Sequence, residues 1–443
     1  MKFNVTTLVI ATALLTPAIG LAQENGPGLF TELVSLLDLT SNASSNEGPT
    51  GTQPGCSAPT CSSPVGCCDP VPYGRGCYAE DFCCADGCCG DCCGCCCDKG
   101  FFGSLEFLAW WAKGTGLPPL VTTSPTNPLT PQTAAGVLGF QTTTILFGNE
   151  LVGDRLQAGG RVTLGRWLDC EQNIAAVGRF WTLGGDNTRF TANSTQFPIL
   201  AVPFFDAAIG LESSLLLGYP AVASGAVAVS SSNQNVFGVD ALGEIMMERD
   251  CNRRIDLVAG YQFLRLDDSL QIDATQNDLR TLTTFDIRDR FVGRNTFNGA
   301  QAGVRARMAR GCWSIDALSK VGVGNMHQVV DISGQTTATA LNQLPFTVPG
   351  GLFAQPSNIN VYDRDVLVFI PELTLNLTYH VNCRLSFSGG YNVIWISNVV
   401  LSGDHLDRRV NLGQPTPPLV PAFAFNGRDY WLQGMNFGVN WCF

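Results

Sequence analysis

Charge is scarce in this chain. Asp, Glu, Lys and Arg make up 14% of its 443 residues, against roughly 25% in ordinary soluble domains. A basic surplus is missing too. The formal net charge is −11, so the electropositive footprint that nucleic acid needs is excluded. Histidine is nearly absent, with three copies at His327, His380 and His405. Beyond its first residues the chain has no apolar run long enough to cross a bilayer as a helix. With 48 glycines and an ordinary apolar share, these absences leave two classes: a secreted β-protein or a membrane β-barrel. The length is too great for one small domain.

What is present decides between the two. In Asp429–Phe443 one parity reads Trp431, Gln433, Met435, Phe437, Val439, Trp441 and Phe443. The other reads Tyr430, Leu432, Gly434, Asn436, Gly438, Asn440 and Cys442. One face is greasy and aromatic, the other mostly small and polar. That is a period-two strand with lipid on one side and a lumen on the other. A terminal strand of this kind is the expected signal for barrel-insertion machinery, with the lipid bilayer as the first partner.

The start reads as an export signal over residues 1–22. Lys2 supplies the positive charge, Val5–Leu15 the apolar core and Gly20-Leu21-Ala22 a small-x-small cleavage site. Residues 23–55 read as a short helix, Leu29–Leu39, followed by a Ser-, Asn-, Gly- and Pro-rich linker. Residues 56–99 hold 14 of the 19 cysteines. Past an export signal the compartment is oxidising, so disulfide stapling or cross-linking through Cys56–Cys97 is the first expectation. Cys89-Gly-Asp-Cys92 has a metal-like spacing, but the doublets fit no standard zinc pattern and no histidine stands nearby. A compositional tract without a defined fold is the remaining reading.

From residue 100 to 443 alternating segments follow one another. Ten are expected as strands: Phe101–Lys113, Gln157–Leu168, Ile174–Leu183, Val236–Met247, Ile255–Leu264, Phe297–Met308, Trp313–Gly324, Val366–His380, Arg384–Trp395 and Asp429–Phe443. Each is long enough to cross a bilayer as a tilted strand. Short connections (Asp169–Asn173, Arg249–Arg253, Arg310–Cys312, His380–Cys383) alternate with long ones (Gly114–Leu156, Gly184–Asn235, Asp267–Thr296, Asn325–Asp365, Ser397–Arg428). Bacterial barrels have short periplasmic turns and long external loops. The expected fold is therefore all-β, an antiparallel transmembrane barrel of ten strands behind an irregular Cys-rich segment. Ala221–Ser230 leaves a count of twelve open. The same rule puts Cys170, Cys251, Cys312, Cys383 and Cys442 on the periplasmic side, within reach of one another or of the Cys-rich segment.

Longer words also stand in order. Among them are Trp110-Trp111 with Lys113, Pro118–Pro125, Gly159-Gly160-Arg161, Leu164–Asp169, Pro198–Phe205, Asp289-Arg290-Phe291, and Gly403–Asp407 with Val410-Asn411. Over Phe101–Phe443 the chain resembles a family of barrel porins from planctomycete bacteria. The resemblance implies an outer-membrane barrel and supplies no catalytic residues. The family's Gly-Asp-Gln-Ile-Asp word carries His405 in its third position here. The Cys-rich segment lies outside the match.

The expected lumen groups are Glu106, Asp240, Glu244, Asp256, Asp316 and Glu372 against Arg161, Arg305, Arg307, Lys320 and Arg384. In a narrow interior such nearly balanced charges pair into a structural network more often than they select ions. Eight strands give a filled interior and sixteen an aqueous channel, so ten lie near the closed end. Small-solute permeation is the expected function, with a non-conducting surface or envelope protein as the alternative. Hydrolysis through Asp404-His405 is the weakest reading, since adjacent side chains seldom address one substrate. No cofactor or metal site is expected; no loop has EF-hand ligand spacing.

Overall fold

The computed structural model describes residues 100–442 except 170, 251 and 383, with the backbone alone at 233–235. The expected signal, helix, linker and Cys-rich segment, and Cys170, Cys251 and Cys383, fall outside the described residues. No described helix is long and apolar enough to cross a membrane.

Ten strands close a ring. They are β1 (Phe101–Ala112), β2 (Leu156–Trp167), β3 (Ile174–Leu183), β4 (Ala223–Asp250), β5 (Arg253–Asp278), β6 (Thr283–Arg310), β7 (Trp313–Ala340), β8 (Asn360–His380), β9 (Leu385–Val400) and β10 (Gly427–Cys442). Each pairs antiparallel with its neighbours in chain order, and β10 pairs with β1, Phe107 opposite Phe437. The ring therefore closes on itself, as strands in hydrocarbon require, with the β8–β9 ladder running from Glu372 opposite Ile394 to His380 opposite Ser386.

The outward faces make an apolar band. On β7, Trp313, Ile315, Val321 and Val323 are all exposed. From Trp313 to Val323 the strand climbs about 34 Å, which at a barrel tilt of about 40° spans roughly 26 Å, close to the height of a membrane band. Aromatic rings mark both rims. Trp313 and Tyr379 pair at 4.9 Å near the short turns. At the other rim Phe237 lies 6.2 Å from Phe180 and 5.8 Å from Phe263, and Trp395 stands opposite Trp431.

Two expectations change. Asp267–Thr296 and Asn325–Asp365 are not mainly loops. β4, β6 and β7 run 28 residues each and β5 runs 26, roughly two and a half to three times the length a bilayer needs. Ala221–Ser230 adds no ring strand, because its residues from Ala223 on are the outer half of β4, pairing with β5 and with Asp186–Asn193. The physical reason is a second core. In the outer half the inward residues are apolar: Val227, Val229, Leu270, Ile272, Phe291, Val330 and Ile332. They pack on a smaller sheet of Val121–Thr123, Thr144–Phe147, Leu200–Asp206 and Leu211–Gly218, with Arg409–Val410 added in parallel. Leu120, Val121, Phe147, Leu200, Val202, Phe204 and Leu217 supply that sheet's side of the core. Two sheets facing each other over apolar side chains are a sandwich arrangement.

Candidate functional site: the interior of the ring

The band half of the ring turns its charged residues inward. Nearest the short turns, Arg305 donates to Glu244 at 2.9 Å and to Asp316 at 2.8 Å. Arg307 reaches Glu244 at 2.9 Å and Asp256 at 3.2 Å, and Arg254 holds Asp256 at 2.7 Å. One level further, Arg179 bridges Asp240 at 2.6 Å and both oxygens of Glu372 at 2.6 and 2.7 Å. Lys320 joins the same two carboxylates at 3.0 and 3.1 Å. Beside them Arg161 forks onto Glu106 at 3.0 and 2.5 Å. Gln301 donates to Asp240, and Asn436 to Glu106, both at 2.9 Å.

Strand register explains the contacts. Glu106 stands opposite Arg161, Arg179 opposite Asp240, Lys320 opposite Glu372 and Arg307 opposite Asp316. Each is a cross-strand pair on one face. Three cations meet three carboxylates in each level, so the layer is neutral. Such pairing is what makes buried charge tolerable.

Above the ions lies an apolar layer. Leu108, Trp110, Phe297, Met326 and Leu432 are fully buried, as are Trp181 and Tyr430 to within 1%. They pack in one cluster with Leu264, Val368, Ile370 and Ile394. Trp110 and Trp181 lie 5.3 Å apart. Above this layer a cavity of about 20 Å3 is bordered by Lys113, Asp186, Ser231, Asp268, Leu401 and Tyr430, among others. That is room for about one water molecule.

Of the residues expected in the lumen, Glu106, Arg161, Asp240, Glu244, Asp256, Lys320 and Glu372 are buried inside the ring, and Arg305, Arg307 and Asp316 partly so. Arg384 is a correction. It precedes Leu385, the first residue of β9, and is exposed in the turn, where strand parity no longer directs a side chain. Sequence reasoning passed over Arg179 and Arg254. Arg179 is hidden between Val177 and Trp181 on an otherwise apolar face, and Arg254 stands at the turn-proximal end of β5. Cys312 sits in the β6–β7 turn and Cys442 at the end of β10, on the same rim.

The histidines are separated. His327 is exposed on the outward face of β7, 3.2 Å from Asp365. His380 lies 2.8 Å from Ser314 Oγ at the turn end. His405 is buried, not presented on an open loop: its Nδ1 lies 2.8 Å from the Leu401 carbonyl, and the Asn426 N–H points at Nε2 from 3.4 Å. Burial pushes its ring below the usual histidine range. The described residues hold no group of three or more His, Cys, Asp or Glu placed to bind a metal.

A family model described as putative beta barrel porin-7 matches residues 102–443. No curated protein matches the chain. Among solved structures, the outer-membrane protease OmpT from Escherichia coli aligns at 9% identity over 77% of this chain and 96% of its own, with a TM-score of 0.38. The toluene transporter TodX of Pseudomonas putida aligns at 8% identity over 77% and 88%, with a TM-score of 0.17. A bacterial polysaccharide outer-membrane secretin aligns at 6% identity over 78% and 99%, with a TM-score of 0.15. Likeness this distant carries no inference about activity.

Proposed function

This chain belongs to the putative beta barrel porin-7 family, and from that premise we propose that it is a closed barrel that displays its outer half at the cell surface without conducting solutes. Its place is the bacterial outer membrane. The observation that carries the reading is the filled interior, with Trp110, Phe297 and Lys320 all buried within the ring. A solute would have to part a neutral ion layer and then displace an apolar one. Separating one partner from a buried pair costs about 3–5 kcal/mol, which makes thermal opening rare. The family's name favours the porin reading expected from sequence; ring width and filling favour closure. His405 supports a non-enzymatic reading, because backbone groups face both of its ring nitrogens.

Planar bilayers test this. Purified, folded protein should give a silent membrane, while reproducible unitary steps would return the porin reading. The cysteine-bearing rim fits cross-linking to the Cys56–Cys97 segment, which non-reducing electrophoresis reads directly: a mobility unchanged by reductant would exclude it.

A further inference from the structure

The mouth above the apolar layer is occupied by the chain that follows β9. Leu401 is buried in the ring's apolar layer, while Leu406 and Val410 join the outer core. Between them, a short 3-10 turn spans Ser402–His405. Inner-face side chains of two neighbouring strands hold its entry. On β6, Asn295 accepts the Val400 N–H at 2.8 Å and donates to the Val400 carbonyl at 2.8 Å. On β5, Asp268 Oδ2 accepts the Ser402 N–H at 2.8 Å and the Ser402 hydroxyl at 2.5 Å.

Asp268 is badly placed to carry charge. Its Oδ1 is shut off from solvent and has no hydrogen-bond partner. It lies over Gly293 of β6, where a Cβ would come within 2.6 Å of it, so glycine makes the room. The leading charges on it are negative, Asp404 on the turn and Asp267 beside it. Lys113, Asp186 and Tyr430 border the same small cavity. The Lys113 ammonium, though, answers to Arg428, Asp429 and Asp404, and Arg428 pairs with Asp404 at 3.2 Å.

We propose that Asp268 is a proton-sensitive latch on residues 400–406: its own hold on the Ser402 N–H and hydroxyl is firmest in acid and slackens progressively towards neutral pH. Burial lifts the Asp268 carboxyl from its usual 3.8 to about 7. Because the seated-state value is raised, the Asp268 contribution is complete below about pH 4; in the same segment His405, held below its usual range by burial, works against it as it protonates in acid, and Asp404, pushed up by burial, works with it. The Asp268 contribution weakens about tenfold per pH unit as pH rises to about 7, and is level above that. On the adjoining strand Asp289 accepts the N–H groups of Leu352, Phe353 and Ala354 at 3.1, 3.1 and 2.8 Å. Burial, with Asp273 nearby, lifts it to about 6, so residues 350–359 provide an internal reference.

Hydrogen exchange of the full-length protein in detergent, corrected for the intrinsic pH dependence of exchange, reads the latch. The ratio of wild-type to Asp268→Asn protection, in the peptide containing Val400 and Ser402, should fall about tenfold per unit between pH 4.5 and 7 and then stay level. The Asp268→Asn profile should keep only the dependence that His405 and Asp404 supply, while residues 350–359 keep theirs. A ratio that does not change with pH overturns the latch. Should that variant fail to assemble, Ser402→Ala keeps the test open: protection should drop at every pH with the slope preserved, and a lost slope overturns the proposal. The readout is local exchange, so a conducting or a silent barrel leaves it equally decisive.

Discussion

Strand β7 passes through two different environments. Between Trp313 and Val323 its outward side chains include Trp313, Ile315, Val321 and Val323, and its inward ones include Asp316 and Lys320. Beyond Asn325 the order inverts. Outward now stand His327, Asp331, Ser333 and Gln335, and inward Val330 and Ile332. The backbone does the same thing throughout; only the partition of polarity changes. Hydrocarbon outside calls for apolar outward residues and leaves the narrow interior to paired ions. Water outside calls for polar outward residues and lets the inside become an ordinary apolar core. One continuous sheet thus carries a membrane half and a water-soluble half.

The strongest way to break the comparison is to remove a charge from the membrane half. Arg179→Met leaves Asp240 and Glu372 with Lys320 alone among their cationic partners. Equilibrium unfolding in urea, read by folded and unfolded mobility on gels, should show a loss of about 3–5 kcal/mol. A loss below about 1 kcal/mol would mean that water already reaches the layer. A matched pair of outward arginines gives the next effect. Leu375 lies near the middle of the band, paired with Ala317. Leu375→Arg should cost about 2–4 kcal/mol in the same assay, the penalty of a cation at the bilayer midplane. Ser333→Arg, outward on the outer half of β7, should stay within about 0.5 kcal/mol. Equal costs at the two sites would show that the boundary between the halves is misplaced.

Which parts of this were legible follows from the same inversion. A greasy outward face opposite a polar one marks most of the ring strands, β8 most plainly. Leu270, Ile272 and Ala274 alternate just as regularly with Gln271, Asp273 and Thr275. They resist a membrane reading because the alternation is that of a soluble sheet. Arg179 shares its parity with Ala175, Val177, Trp181 and Leu183, so nothing local marks that face as the interior. Leu108 and Trp110 point inward between Phe107, Ala109 and Trp111. Both faces of β1 are apolar there, which hides the layer that fills the ring. Latch contacts such as Asp268 to Ser402 join residues 134 positions apart, a separation no local pattern encodes.

The smallest effect sharpens where the membrane half ends. Trp313 and Tyr379 face each other across β7 and β8, with ring centroids 4.9 Å apart and planes at 56°. Both remain substantially exposed, at 51% and 41%. Amphipathic rings in that position suit a lipid–water interface, where the body meets hydrocarbon and the polar edge meets headgroups. A double-mutant cycle with Trp313→Ala and Tyr379→Ala, measured in bilayers, should give a coupling of about 0.5–1.5 kcal/mol. Phe147 and Phe190 of the outer half are stacked at 5.1 Å and serve as the aqueous reference. The Trp313 pair should lose stability further when bilayer thickness no longer matches the band, whereas the Phe147 pair should ignore lipid altogether. If both pairs responded to thickness alike, the outer half would be touching lipid, and the inversion along β7 would need another cause than a change of solvent.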